Sequence, residues 1–132
     1  MRQEDFNELF RQRTKTLSLE IIRMVSELKY SDALSVIRKQ LFKSVTSVAA
    51  NFRAVCRARS NNERYSKLCI VVEEADETLF WIEMLIEGQF IALETIETYK
   101  KEAEEILKVM AAFKKKLENQ SVIKSNYSIT NH

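Results

Sequence analysis

Residues 40–60 read QLFKSVTSVAANFRAVCRARS. Apolar side chains recur in this stretch at intervals of three and four residues, which is the spacing of one face of an α-helix. They are Leu41, Val45, Val48, Phe52 and Val55. Ser60 and Glu63 follow with the spacing of a capping box, and the two asparagines between them suit a tight turn. The pattern predicts that one long helix ends near residue 59 and that another begins at once.

The same periodicity continues on both sides of this turn. Asp5 and Glu8 have capping-box spacing, Ser31 or Asp32 can cap the next segment, and Gly88 is placed to end a helix. These signals predict four helices, at about 5–29, 32–59, 61–87 and 90–118. The third is apolar on more than one face, so we expect it to pack within its own bundle and against a neighbour.

The composition indicates an all-α protein. The chain has 132 residues, no proline and a single glycine, whereas strands need turns that favour these two residue types. Short connections make sequential helices antiparallel, which predicts an up-down-up-down four-helix bundle. We expect one domain over residues 1–118 and an irregular polar tail over 119–132.

Charge is sorted by helix, although the whole chain is nearly balanced at +2. Residues 31–60 contain one acid and six basic residues, and residues 61–88 contain seven acids and two basic residues. The six basic residues are Arg38, Lys39, Lys43, Arg53, Arg57 and Arg59. We expect them to face outward, and some of the opposite charges on the two helices to pair as weak surface bridges.

Small polar residues in the second helix predict a second feature. When the second and third helices fold back at residue 60, Ser47 falls opposite Glu74 and Ser44 falls opposite Glu77, with Asn51 one turn from Ser47. Buried carboxylates need hydrogen-bond donors, because an unpaired buried charge is costly. We therefore predict a structural polar network that fixes the register of these helices.

The residues needed for catalysis or for a cofactor are missing from the sequence. The one histidine, His132, is the last residue, which is a poor position for a general base. The chain has no Glu-x-x-His pair of the di-iron bundles and no glycine-rich phosphate loop. Residues 73–77 read EEADE and could attract a hard cation, but such acids are more often structural or solvated. We predict a protein with no enzymatic activity, no metal and no cofactor.

The remaining features indicate a cytoplasmic protein. No apolar run approaches the ~18 residues of a membrane span, and the first ten residues lack the apolar core of a signal peptide. Cys56 and Cys69 are isolated on apolar helical faces, and we expect them to be buried and reduced.

Two motifs carry a resemblance to a known family. Residues 40–60, followed by EEADETLFWIEML at 73–85, resemble the four-helix bundle family of the protein encoded in the 23S ribosomal RNA intervening sequence. The accessory variability determinant of diversity-generating retroelements is a more distant relative. The residues that match the family's pattern are Gln40, Leu41, Ser44, Ser47, Asn51, Arg57, Arg59, Ser60, Glu74, Ala75, Glu77, Thr78 and Trp81. Ala54 and Val55 stand where the family usually has Glu-Gly.

The resemblance covers about residues 6–118. It implies a bacterial bundle that assembles as a ring, typically a pentamer. It also implies association with structured RNA or with an RNA-handling partner, without catalysis.

Two functions remain open from the sequence. In the first, the six basic residues contact the phosphates of RNA or DNA as anchors that do not read the base sequence. In the second, the chain is a protein-interaction adaptor whose basic face docks an acidic surface of a partner such as a polymerase or a ribosomal protein. The salt dependence of binding separates the two, because counterion release from a nucleic acid gives a steep slope.

Overall fold

A computed structural model describes residues 1–120 and contains four long helices. The described part of the chain contains no strand. The helices are α1 (Gln3–Ser26), α2 (Asp32–Cys56), α3 (Asn61–Glu87) and α4 (Leu93–Glu118). The predicted all-α fold is confirmed. The part of the predicted tail from residue 121 onward lies outside the described residues.

The helices form an antiparallel bundle in which each packs against its neighbours in sequence. The α2–α3 interface is the most extensive, and α1 closes the bundle against α4 through the least extensive interface. Short connections of this kind produce the up-down-up-down topology. The α2–α3 hairpin, which carries most of the sorted charge, is therefore also the tightest pair in the bundle.

The predicted apolar stripes meet in one core. All five apolar residues of the 40–60 stretch are buried, and Phe52 is fully enclosed and meets Phe6 of α1 edge to face. Apolar burial of this extent is the main favourable term in folding. Cys56 and Cys69, predicted as buried thiols, are free but only half-buried.

Hydroxyl groups mark the starts of α2 and α3. The Ser31 oxygen accepts a hydrogen bond from the Leu34 amide, and the Ser60 oxygen accepts one from the Glu63 amide. The prediction at the start of α1 was wrong. The helix begins at Gln3, and Asp5 lies in its first turn, where it pairs with Arg2.

The predicted boundaries at residues 29, 59 and 90 were also wrong by about three residues. The α3–α4 connection shows the physical reason. The Phe90 amide donates to the Leu85 carbonyl and the Gln89 amide donates to the Ile86 carbonyl, which is the hydrogen-bond pattern of a Schellman motif. Residues 88–92 are used in this turn, so α4 starts at Leu93.

Gly88 ends α3 as predicted, but for a different reason. Its φ is −78°, an ordinary helical value, and the left-handed residue is Gln89 with φ 62°. A Cβ at Gly88 would lie 2.8 Å from the Met84 carbonyl oxygen and 2.7 Å from the Phe90 ring. The glycine therefore permits a close approach rather than an unusual backbone angle.

None of the four described helices is long and apolar enough to cross a membrane.

Candidate nucleic-acid interface

Four of the six predicted basic residues share one face of α2. At about 100° per residue, Lys39, Lys43, Arg53 and Arg57 fall within about 80° of arc, opposite the buried side of the helix. All four are exposed, and Thr46 and Ala50, which lie between them on the same face, are also exposed. We call these four residues the basic stripe. It extends from the eighth residue of α2 to Arg57, the residue directly after the helix, and projects from a rigid element.

The other two predicted residues lie off this stripe. Arg38 is half-buried, and its guanidinium carbon lies 6.0 Å from the centre of the Tyr30 ring. Arg59 lies beyond the end of α2, in the connection to α3, and is exposed. The structure thus brings four of the six residues together on one face, and leaves Arg38 beside that face and Arg59 beyond the end of the helix.

The structure adds two basic residues of α1 that were missed in the sequence. A groove of about 530 Å³ runs between α1 and α2, and Arg11, Lys15, Arg53 and Arg57 all line it. Arg11 also pairs with Glu8 on its own helix. The i, i+4 spacing of Arg11 and Lys15 indicates that they share one face of α1. Only the packing of α1 against α2 shows that this face lies beside Arg53 and Arg57.

Apolar and small residues line the groove as well. They are Leu19 and Ile22 on α1 and Ala49 and Ala50 on α2. The small alanines keep the groove open, because larger side chains at these positions would fill it. The lining of the α1–α2 groove is thus partly basic and partly apolar.

The expected surface bridges between α2 and α3 are not present in residues 1–120. Within the described chain, none of the ion pairs involves a basic residue of α2 or a carboxylate of α3. The reason is the helical arc: the basic stripe points outward from α2, and Lys43, although near enough to act electrostatically on Glu74 of α3, forms no ion pair with it. Its charges remain available to an external partner.

The predicted polar network forms a seam between α2 and α3, with different partners from those expected. Ser44 and Thr78 are both buried and their hydroxyl oxygens lie 3.1 Å apart. Thr78 also donates to the Glu74 carbonyl. The expected contact of Ser44 with Glu77 is therefore wrong, because the buried position opposite Ser44 belongs to Thr78, one residue further along α3.

The rest of the seam holds Glu74 from the α2 side. The Ser47 hydroxyl hydrogen-bonds the Glu74 carboxylate, and the Asn51 amide donates to the Ser47 hydroxyl at 3.0 Å. Glu77 instead accepts a hydrogen bond from the Trp81 indole nitrogen at 3.2 Å. Asn51 therefore reaches Glu74 only through Ser47.

The two glutamates of the seam are half-buried rather than buried as predicted. Burial raises the pKa of the Glu74 carboxyl, and the neighbouring Glu77 carboxyl raises this pKa further. The hydrogen bond from Ser47 and the ammonium of Lys43 act in the opposite direction. The seam therefore holds a carboxyl that retains its proton to higher pH than an ordinary glutamate does.

Charge is also sorted along the bundle axis. The midpoints of the four helices separate the bundle into two halves. The halves next to the α2–α3 connection, residues 1–14, 45–73 and 106–120, hold twelve basic and six acidic residues. The other halves, residues 15–44 and 74–105, hold eight basic and thirteen acidic residues. Arg53, Arg57 and Arg59 lie in the basic half, where they add to a positive field rather than standing alone.

No group of three or more histidine, cysteine, aspartate or glutamate side chains in residues 1–120 is arranged to hold a metal ion. His132 lies outside the described residues.

Comparisons with known proteins agree with the fold. A model of the 23S rRNA-intervening sequence protein family matches residues 8–112. A crystal structure of a protein with unknown function from the S23 ribosomal protein family of Bacteroides thetaiotaomicron is similar, with a TM-score of 0.75 and 28% sequence identity. The similarity covers 83% of this chain and 97% of that one. No curated protein matches this chain.

Proposed function

The chain belongs to the 23S rRNA-intervening sequence protein family, and we propose that it is a non-enzymatic, cytoplasmic protein that binds structured RNA or other nucleic acid. The basic stripe of α2 supplies the main contacts, with Arg38 and Arg59 at its margins. The chain acts as a homo-oligomer, and assembly multiplies the number of basic residues that one nucleic acid meets.

The observation that carries this proposal is the unpaired state of the basic stripe. Four exposed cations follow one face of a helix, and none forms an ion pair with another described residue. Phosphate groups along a nucleic acid backbone are the natural counterpart of a row of arginine and lysine side chains. Their binding releases condensed counterions, which supplies sequence-independent affinity.

The same geometry indicates how such a protein would select its target. The exposed positions between the four cations are Thr46 and Ala50, which offer little to the edges of bases. The contacts therefore position the backbone, and any preference between nucleic acids comes from their shape.

The test is a titration of nucleic-acid-free protein with structured RNA and with duplex DNA over a series of salt concentrations. Neutralising four phosphates gives a slope of about −3 to −4 in log affinity against log salt. We expect a slope at least this steep for the wild type. A shallow slope, or no binding at low salt, would reject the proposal and favour the adaptor function.

A matched pair of variants locates the contact. The stripe variant replaces Lys39, Lys43, Arg53 and Arg57 with glutamine. The control variant replaces four exposed basic residues outside α2 with glutamine: Arg23, Lys29, Lys101 and Lys108. Both lose the same charge, so a difference between them measures position rather than net charge. We expect the stripe variant to lose most of the affinity and of the salt slope, and the control variant to retain most of both.

A further inference from the structure

Tyr30 is the most exposed aromatic residue in residues 1–120. It lies in the connection between α1 and α2 and is 63% exposed, whereas Phe80, the next most exposed, is 49% exposed. A single exposed apolar side chain is ordinary on a protein surface. Tyr30 differs because its ring is held in place, and because it lies beside basic residues at the end of α2 where the basic stripe begins.

Two side chains of α2 hold the Tyr30 ring. The Tyr30 hydroxyl donates a hydrogen bond to the Asp32 carboxylate at 3.1 Å, and the Arg38 guanidinium carbon lies over the ring, 6.0 Å from its centre. The backbone beside the ring is also fixed, because the Ser31 hydroxyl caps α2. A side chain that is already ordered loses little entropy when a ligand docks against it.

The start of α2 does not use this ring for its own packing. An apolar residue directly before a helix cap often packs against the fourth residue of the helix, as a hydrophobic staple. The fourth residue of α2 is Ser35, and its hydroxyl donates instead to the Asp32 carbonyl. The Tyr30 ring is therefore not part of a staple, in agreement with its exposure.

An aromatic ring beside a guanidinium group suits the binding of an unpaired base. RNA-binding proteins stack the splayed-out bases of loops and bulges on aromatic rings and on arginine planes. Tyr30 and Arg38 supply one group of each kind. A base inside a paired helix is stacked on its neighbours and does not reach such a ring, so the contact selects an RNA that offers an unpaired base.

Cations for the neighbouring phosphates lie on the same helix. Residues 32–43 contain one acid and three basic residues, Arg38, Lys39 and Lys43. At ~1.5 Å per residue, Lys39 lies about 12 Å and Lys43 about 18 Å along the helix axis from the cap of α2. Both lysines are exposed and belong to the basic stripe. An RNA strand that places a base on Tyr30 can therefore continue along the stripe.

We propose that Tyr30 and Arg38 form a stacking site for one unpaired base of a structured RNA. Lys39 and Lys43 contact the phosphates next to this base. Stacking accepts the face of any base, so the site recognises the unpaired state rather than the identity of the base. This inference rests on the proposed function and names the feature of the RNA that the protein selects.

Two RNA duplexes that differ in one feature test the site. One is fully paired, and the other has the same sequence with a single additional unpaired nucleotide in one strand. Tyr30→Ser removes the ring and Tyr30→Phe keeps it. Leu93→Ser is the control, because it removes a 43% exposed apolar side chain at the same end of the bundle. Fluorescence anisotropy measures Kd for each duplex over a salt series, and circular dichroism checks that each variant keeps its helix content.

We expect the wild type to bind the bulged duplex more tightly than the paired one. Loss of a base–aromatic stack weakens binding by about 5- to 150-fold, so Tyr30→Ser should lose this preference. The loss should be similar at every salt concentration, because a base stack releases no counterions. Tyr30→Phe and Leu93→Ser should both retain the preference for the bulged duplex.

The outcomes separate this inference from the proposed function. Equal affinity of the wild type for the two duplexes, or a preference that survives in Tyr30→Ser, would overturn the stacking site and leave the proposed function intact. An equal loss in Leu93→Ser, or a loss that fades as salt rises, would also overturn it, since folding or charge would then be the cause. Failure of the wild type to bind either duplex at low salt would reject the proposed function, and the stacking site with it.

Discussion

Replacing Gly88 with alanine sets two physical effects against each other. Alanine at a helical φ of −78° should stabilise the protein by about 0.4–1 kcal/mol, because it restricts the unfolded chain and favours helix. Its Cβ, however, would lie 2.8 Å from the Met84 carbonyl oxygen, which is backbone and cannot move aside as a side chain can. Overpacking of this kind costs about 1–3 kcal/mol. We expect the clash to prevail, with a net loss of about 1–2 kcal/mol.

The neighbouring residue gives a prediction of opposite sign. Gln89 holds a left-handed φ of 62°, which costs a residue with a side chain about 1–2 kcal/mol. Gln89→Gly removes this cost. Glycine also gives the unfolded chain more conformational freedom, which lowers the free energy of unfolding by about 0.4–1 kcal/mol. We expect a net gain of about 0.5–1 kcal/mol.

Urea and thermal unfolding, followed by circular dichroism, measure both effects. For a domain of this size, 1 kcal/mol corresponds to a shift in Tm of about 3–5 °C. Gln89→Ala serves as the control, since it keeps a Cβ at the left-handed position and should change stability little. If Gly88→Ala unfolds at the same temperature as the wild type or higher, the close approach does not govern this turn and the reasoning fails.

Three further predictions concern the core, the seam and the α1–α4 contact. Phe52→Ala should lose about 3–5 kcal/mol in urea unfolding, because Phe52 is fully buried, and a loss below 2 kcal/mol would mean that the core collapses around the vacancy. Glu74→Gln should raise Tm at pH 7. The pKa of the Glu74 carboxyl is raised in the folded protein, so the folded state holds this proton to higher pH than the unfolded state does. The carboxyl therefore destabilises the folded state as pH rises through that pKa, and glutamine does not. The gain should disappear at pH values below the ordinary glutamate range, where the carboxyl is protonated in both states, and an equal gain at every pH would contradict this cause. Arg13→Ala removes an ion pair in which two guanidinium nitrogens contact Glu102 on α4, and it also removes a cation–π contact with the Phe10 ring. We expect the free energy of unfolding to fall by about 1 kcal/mol. A double-mutant cycle with Glu102→Ala separates the contribution of the ion pair from that of the ring contact.

The fold was predictable because local signals and periodicity agreed. The third helix was predicted with its observed bounds, since Ser60 is a strong cap and Gly88 ends the helix. The start of α1 was predicted wrongly because one side chain had two possible partners. Asp5 had the spacing of a cap, but it pairs with Arg2 and lies within the first turn. Sequence spacing does not show which of two local hydrogen bonds forms.

The candidate site was only partly predictable. The sequence identified the basic charge of α2, but the helical arc was needed to place four of the six basic residues on one face. Arg11 and Lys15 could be identified only from the packing of α1 against α2, which brings them to the same groove as Arg53 and Arg57. The seam shows the same limit at finer scale. Counting back from the turn placed Glu77 opposite Ser44, and a shift of one residue gives the buried partner Thr78 instead. One residue on a helix is about 100° of rotation, so a small error in register exchanges one side chain for another.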